Sequence, residues 1–261
     1  MRRYKPVIWR VVPMVLGLLI AAPAARADDT DAGLRHGLVD GEPVFKWSAP
    51  PLDEGGWVIG LGTVAYGITD EVTVSVRSSE LVLGHYNGHV RAGLGTQEQP
   101  KVSVEGGVGV LTPVALARLF VPAWETRSLV LSSELAVAMT WTQGDTRFLT
   151  VRPWFALAAG RVEDDDEQLT LLLGRPVLTG PGISALAETH ISKNLGLVGS
   201  LDLGLELYGF EPGVAVRPRG AAVLATGPLR VNLGLGVGVY VDNDGALRSD
   251  LQPALDIWVR F

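Results

Sequence analysis

LQPALDIWVRF, residues 251–261, alternates without a break. Leu251, Pro253, Leu255, Ile257, Val259 and Phe261 fall on one face of an extended strand; Gln252, Ala254, Asp256, Trp258 and Arg260 fall on the other. Successive side chains of a strand point to opposite sides, so this segment carries one apolar face and one mainly polar face. The same period recurs upstream. Leu229, Val231, Leu233, Leu235, Val237 and Val239 share a side, backed by Arg230, Asn232, Gly234, Gly236, Gly238 and Tyr240. Leu197, Leu201, Leu203, Leu205 and Leu207 form another row, with Ser200, Asp202, Glu206 and Tyr208 behind them. Such rows would be wasted on a strand half-covered by water, and are expected on one that faces hydrocarbon.

Working back from these strands, alternation predicts others over 57–66, 72–76, 88–95, 101–111, 128–141, 147–160, 169–174, 183–191 and 214–224. The inner row of 128–141 holds Ser132, Glu134 and Thr140, opposed to Leu131, Leu135, Val137 and Met139. A tilted spanning strand uses roughly 9–11 residues and bacterial barrels favour even strand numbers. The expected fold is therefore all-β: an antiparallel up-and-down transmembrane barrel of about 12 strands, within a range of about 10–14. In the second half, long links (175–182, 209–212, 241–250) alternate with short ones (192–195, 225–228), as external loops and periplasmic turns do. The 112–126 link falls on the short side and breaks that rule, so one strand between Val72 and Arg127 is miscounted.

A strand that ends on the aromatic Phe261 of its apolar face resembles the closing strand of Gram-negative outer-membrane β-barrel proteins. The resemblance implies that Phe261 is the assembly signal read by the barrel-assembly machinery. GWVIGLGTVAYGITDEVTVSV (56–76) is similar to the opening hairpin of outer-membrane proteins known only as barrels, through a loose Tyr-Gly-Ile-Thr-Asp motif.

Composition fits export. Arg2, Arg3, Lys5 and Arg10 precede the apolar run 11–22, and Ala25-Arg26-Ala27 satisfies the small-residue cleavage rule, so residues 1–27 read as a signal peptide. Residues 28–54, with Pro43, Pro50 and Pro51, read as a periplasmic lead-in, either tucked into the barrel mouth or free; 55–261 is the barrel. Removing the leader would leave 17 Lys and Arg against 28 Asp and Glu, the wrong sign for nucleic-acid binding. Without cysteine, stability rests on hydrogen bonding and packing. The expected surroundings are outer-membrane lipids, and no cofactor or metal is called for.

The inner face collects Arg77, Glu105, Glu134, Arg152, Glu188, Asp202, Glu206, Arg217, Arg219, Arg230 and Asp256, together with Glu71, Arg91, Lys101 and Arg260. Charges of both signs either pair and fill the lumen or line a path that selects solutes. Inward Gly234, Gly236 and Gly238 would leave room for a solute or for the N-terminal segment. Function therefore divides between a passive small-solute pore or structural barrel, a lipid-modifying hydrolase, and a scaffold or adhesin. The hydrolase option rests on Ser184, Glu188 and His190, the residue types of a nucleophilic relay on one strand face. Glu188 and His190 are roughly 7 Å apart along that strand, too far for a relay built from one strand. His85-Tyr86-Asn87-Gly88-His89 reads as a loop, because Asn-Gly favours turns. Glu163–Glu167 reads as a solvated acidic loop, and Trp141, Tyr208, Phe210 and Tyr240 as interface aromatics.

Overall fold

The computed structural model describes residues 48–82, 84–95, 99–112, 129–161, 180–208, 211–241 and 247–261. The leader, the strand expected over 169–174 and the acidic run 163–167 lie outside them. Twelve strands hydrogen-bond in sequence order and close into a barrel. They are β1 (Trp57–Gly60), β2 (Val64–Thr69), β3 (Val72–Val76), β4 (His85–Gly93), β5 (Lys101–Leu111), β6 (Leu129–Gln143), β7 (Arg147–Arg161), β8 (Gly180–Ser192), β9 (Leu195–Tyr208), β10 (Glu211–Thr226), β11 (Leu229–Val241) and β12 (Leu247–Arg260). A short helix, α1 (Ser78–Val82), lies between β3 and β4. All neighbouring pairs are antiparallel, and β12 meets β1 through Val58↔Arg260, Ile59↔Val259 and Gly60↔Trp258. Trp57 and Phe261 exchange backbone hydrogen bonds of 2.9 and 3.2 Å at the foot of that seam. Closure leaves no unpaired edge, which suits a wall surrounded by a medium unable to hydrogen-bond.

Polarity is inverted relative to a water-soluble core. Outward Val108 is 69% exposed and Leu255 59%, whereas inward Arg152 and Glu188 are each 2% exposed. A soluble protein would bury the first pair and expose the second. Every long apolar row named above lies on the outside wherever its side chains are described. No helix among the described residues is long and apolar enough to cross a membrane, a statement that does not bear on crossing by strands.

The strand count is as expected, although one of the expected strands is corrected. The run 57–66 is not one strand but β1 and β2, turned over 61–63 and closed by Gly60 N–H donating to Thr63 O at 2.9 Å. Its Gly-x-Gly signal looks the same as the glycine alternation of 234–238, which stays inside β11, so local pattern cannot separate turn from strand here. Farther along, β7 pairs directly with β8 from Arg147↔Thr189 to Ala156↔Gly180.

With the 61–63 turn counted, the connections from 70–71 to 144–146 exchange ends. The strands flanking 70–71, 94–100, 144–146, 193–194 and 227–228 are joined at the end that holds Trp57 and Phe261. Those flanking 77–84, 112–128, 162–179 and 242–246 are joined at the opposite end, so 112–128 falls among the long connections and the apparent exception disappears. The miscount lay before Val72, not after it. The 209–212 link also contracts to 209–210.

The wall is uneven. β1, β2 and β3 span 4, 6 and 5 residues, against 14 or more in β6, β7, β9, β10 and β12. β3 pairs with β4 only from Val72↔Ala92 to Ser75↔His89, so β4 rises beyond it toward the end opposite the termini. α1 stands over the low β1–β2 hairpin, where Ser78 Oγ donates to Gly60 O or Leu61 O, at 2.8 and 2.7 Å. Asn87 takes the place of the missing strand partner: Arg77 N–H donates to its Oδ1 at 2.7 Å, and its Nδ2 donates to Arg77 O at 3.3 Å. Leu203, on the outside of β9, tests the lipid-facing assignment. Leu203→Arg should destabilise the barrel by about 2–4 kcal/mol, and Leu203→Phe by far less, measured by denaturant titration in lipid vesicles.

Candidate functional site

The barrel interior is the candidate site, and its first element is an alternating chain of charges. Arg152 on β7 reaches across β6, where the register partner of Glu105 is the small Ala136, and places Nε 3.1 Å from Glu105 Oε2. Its Nη2 lies 2.5 Å from Glu134 Oε1. Glu134 Oε2 accepts from Arg77 Nη2 at 2.6 Å, and Arg77 Nη1 lies 3.5 Å from Glu80 Oε1 on α1. On the other side Arg91 Nη2 lies 3.5 Å from Glu105 Oε1. Glu80, Arg77, Glu134, Arg152, Glu105 and Arg91 thus alternate in sign across β3 to β7. Charges removed from water are tolerated only when paired and hydrogen-bonded, so each member holds its neighbours in place.

The N-terminal segment enters at the termini end. Ser48 and Ala49 are buried; Arg91 Nη1 donates to Ser48 O at 2.9 Å and Ala49 N–H donates to Thr140 Oγ1 at 2.8 Å. Thr140 Oγ1 also lies 2.8 Å from Thr150 Oγ1. Leu52 N–H donates to Thr73 Oγ1 at 2.8 Å. Further along, the Asp53 carbonyl passes directly over Gly67, where a β-carbon would overlap it. Residues 48–53 of the lead-in thus lie against the inner wall. Around the rest of the inner wall runs an apolar cluster of Val58, Ala65, Leu186, Val198, Val223, Ala225 and Trp258, with Leu52 packed against it.

Among the residues expected to line the lumen, Arg77, Glu105, Glu134, Arg152, Glu188, Asp202, Arg217 and Arg230 are buried or half-buried on the inner face. Arg219 Nη2 donates to Gln252 Oε1 at 3.1 Å, Arg230 Nη1 to Gly227 O at 2.6 Å, and Asp256 Oδ1 accepts from Gly62 N–H at 3.0 Å. Glu206 and the side chains of Tyr208, Phe210 and Tyr240 lie outside the described residues. Glu71 and Lys101 are exposed at the rim, one in the β2–β3 turn and the other at the first residue of β5. Two of the three glycines expected to leave room, Gly234 and Gly236, are covered by a neighbouring strand. The Arg219 Cγ occupies the space beside Gly236, Ala221 that beside Gly234, and the Trp154 indole lies on Gly182 and Gly204.

Ser184, Glu188 and His190 share the inner face of β8 but do not form a relay. His190 Nε2 is 2.6 Å from Glu188 Oε1, so side-chain length bridges the gap that backbone spacing forbids. Ser184 stands apart: the rise from it to His190 along the strand is roughly 20 Å, and its Oγ has no hydrogen-bond partner among the described residues. Ser184 sits instead in register with Arg152 on β7 and Asp202 on β9.

The expected loop at 85–89 is part of β4. Asn87-Gly88 fails as a turn because the Asn87 side chain is committed to the backbone of Arg77. His85 and His89 both point inward, over Gly109 and Gly107 of β5. No group of acidic, His or Cys residues suited to a metal occurs among the described residues. His85 Nδ1 is 2.6 Å from Glu80 Oε2, and its Nε2 is 2.9 Å from Ser132 Oγ on β6. Period-2 reading placed Ser132 on the inner face, but nothing local joins it to His85 or Glu80. No protein-family model matches the chain, and no curated protein is significantly similar to it.

Two outcomes test this interior. Arg152→Ala leaves Glu105 and Glu134 without their shared cation and should cost about 3–5 kcal/mol, read by denaturant unfolding in vesicles. Gly67→Val should expel the N-terminal segment, giving rapid protease cleavage near Asp53 in a barrel whose far-UV circular dichroism is unchanged.

Proposed function

We propose that this chain is an integral outer-membrane barrel that works as a closed scaffold, not as an open diffusion pore. In this reading residues 1–27 direct export, and the outward Leu and Val rows contact outer-membrane lipids. The barrel-assembly machinery engages β12 and Phe261. Both ends of the barrel domain then face the periplasm, which puts the longer connections at the cell surface.

What supports the closed reading is the burial and pairing of the described inner-face side chains. Buried ion pairs cover the inner wall from β3 to β7, and the segment beginning at Ser48 lies against them at the termini end. The apolar cluster with Trp258 and Leu52 draws side chains from β8, β9, β10, β12, β1 and β2. A solute path lined by fixed charges needs water around those charges, whereas Arg152 is bonded to two carboxylates and 2% exposed.

The protein should fractionate with outer membranes and show heat-modifiable migration in SDS gels. In planar bilayers it should give no steady conductance over many insertions. Removing residues 28–54 should introduce conductance steps. Stable open channels from the intact protein would return the pore reading to first place.

A further inference from the structure

We propose that Ser132, His85 and Glu80 form a nucleophile–base–orienter relay at the mouth opposite the termini, and that the barrel hydrolyses carboxylic esters there. The geometry is the one such chemistry requires. A serine hydroxyl must hydrogen-bond to one imidazole nitrogen while a carboxylate holds the other, each within about 2.6–3.2 Å. Ser132 Oγ lies 2.9 Å from His85 Nε2, and Glu80 Oε2 lies 2.6 Å from His85 Nδ1. The two contacts use opposite nitrogens of one ring, so the carboxylate selects the tautomer that leaves Nε2 free to accept the serine proton.

Three separate parts of the fold supply these groups. Ser132 is on β6, His85 opens β4, and Glu80 is on α1. β5 lies between the two strands, and the ring crosses it at Gly109, the register partner of Ser132. A β-carbon there would stand 2.8 Å from Ser132 Oγ and overlap His85 Nε2, so only glycine admits the contact. Glu80 is held in turn, with Oε1 3.5 Å from Arg77 Nη1 and Oε2 accepting from Asn87 Nδ2 at 3.3 Å. The buried ion chain therefore ends in the orienting carboxylate of the relay. All three groups are partly open, unlike the fully enclosed His190–Glu188 pair.

The reaction balances without a cofactor. Ser132 Oγ attacks the ester carbonyl carbon as its proton passes to His85 Nε2, forming the new C–O bond. The bond to the leaving alkoxide then breaks, and that oxygen takes the proton from His85. Water next attacks the acyl-serine and gives one proton to His85; the bond from the acyl carbon to Ser132 Oγ then breaks, Ser132 takes that proton back from His85, and the carboxylic acid leaves. Glu80 holds the ring and stabilises its charged form throughout.

The test uses the purified protein in lipid vesicles, with heat-modifiable migration confirming that each variant is folded. A fluorophosphonate probe should label the wild type, and mass spectrometry should place the adduct on Ser132. Ester turnover should fall by at least about 100-fold in Ser132→Ala and His85→Ala. Gly109→Ala should reduce it with all three groups present. Glu80→Gln should lower kcat with little change in KM, and Glu80→Asp should recover part of the loss, a pattern that a merely structural carboxylate would not produce. Ser184→Ala and His190→Ala should retain full turnover. Short-chain p-nitrophenyl butyrate and a long-chain acyl phospholipid in the same vesicles form two arms. Turnover of the first supports a soluble ester entering from the aqueous mouth; turnover of the second supports a lipid entering over the low β1–β3 wall. Folded wild type that neither takes the probe nor turns over either ester overturns the proposal, as does equal labelling of Ser132→Ala.

Discussion

A guanidinium enclosed within a barrel wall cannot remain there alone, and most of the interior follows from how Arg152 is accommodated. Desolvating it costs several kcal/mol unless carboxylates replace the lost water. Glu105 and Glu134 do so from two different strands, and each needs a further cation to avoid repelling the other. Arg91 and Arg77 supply it. Extending the same requirement outward brings in Glu80, and with it the position of α1 against the wall. On the inward side it brings in the Ser48 carbonyl, and with it the N-terminal segment. One compensating chain therefore couples the mouth, the middle and the lower interior.

A narrow barrel must also solve a volume problem, because inward side chains from twelve strands compete for one space. Large groups here lie over glycine on a nearby strand: His85 on Gly109, His89 on Gly107, Arg219 on Gly236, and Trp154 on Gly182 of the next strand and Gly204 of the one beyond. Glycine in these strands is consumed by a neighbour's side chain instead of leaving a void. Lateral contacts two strands apart become possible as a result. The Ser132–His85 hydrogen bond is one of them, and the Arg152–Glu105 pair makes a similar crossing over Ala136.

These two features make the proposed closed interior compatible with the proposed esterase site at the mouth. A filled lumen removes the need for a through-path and gives rigid support to groups at one end, as a positioned nucleophile requires. The short β1–β3 strands matter for the same reason. Where the wall stops early, α1 takes its place and carries a carboxylate to a position no strand residue occupies.

The period-2 pattern by itself determined the all-β class, the outward apolar rows and the inward charges, because facing in a strand is a local property of spacing. It missed the turn at 61–63, because a short Gly-x-Gly turn is indistinguishable from glycine alternation within a strand. Ser184, Glu188 and His190 share a face, but only His190 and Glu188 come within hydrogen-bond reach, while Ser184 stays apart along the strand. Only the tertiary structure decided which inward groups meet. Barrel closure and strand register set residues distant in sequence side by side, and the absence of a β-carbon at Gly109 lets His85 cross a whole strand to reach Ser132.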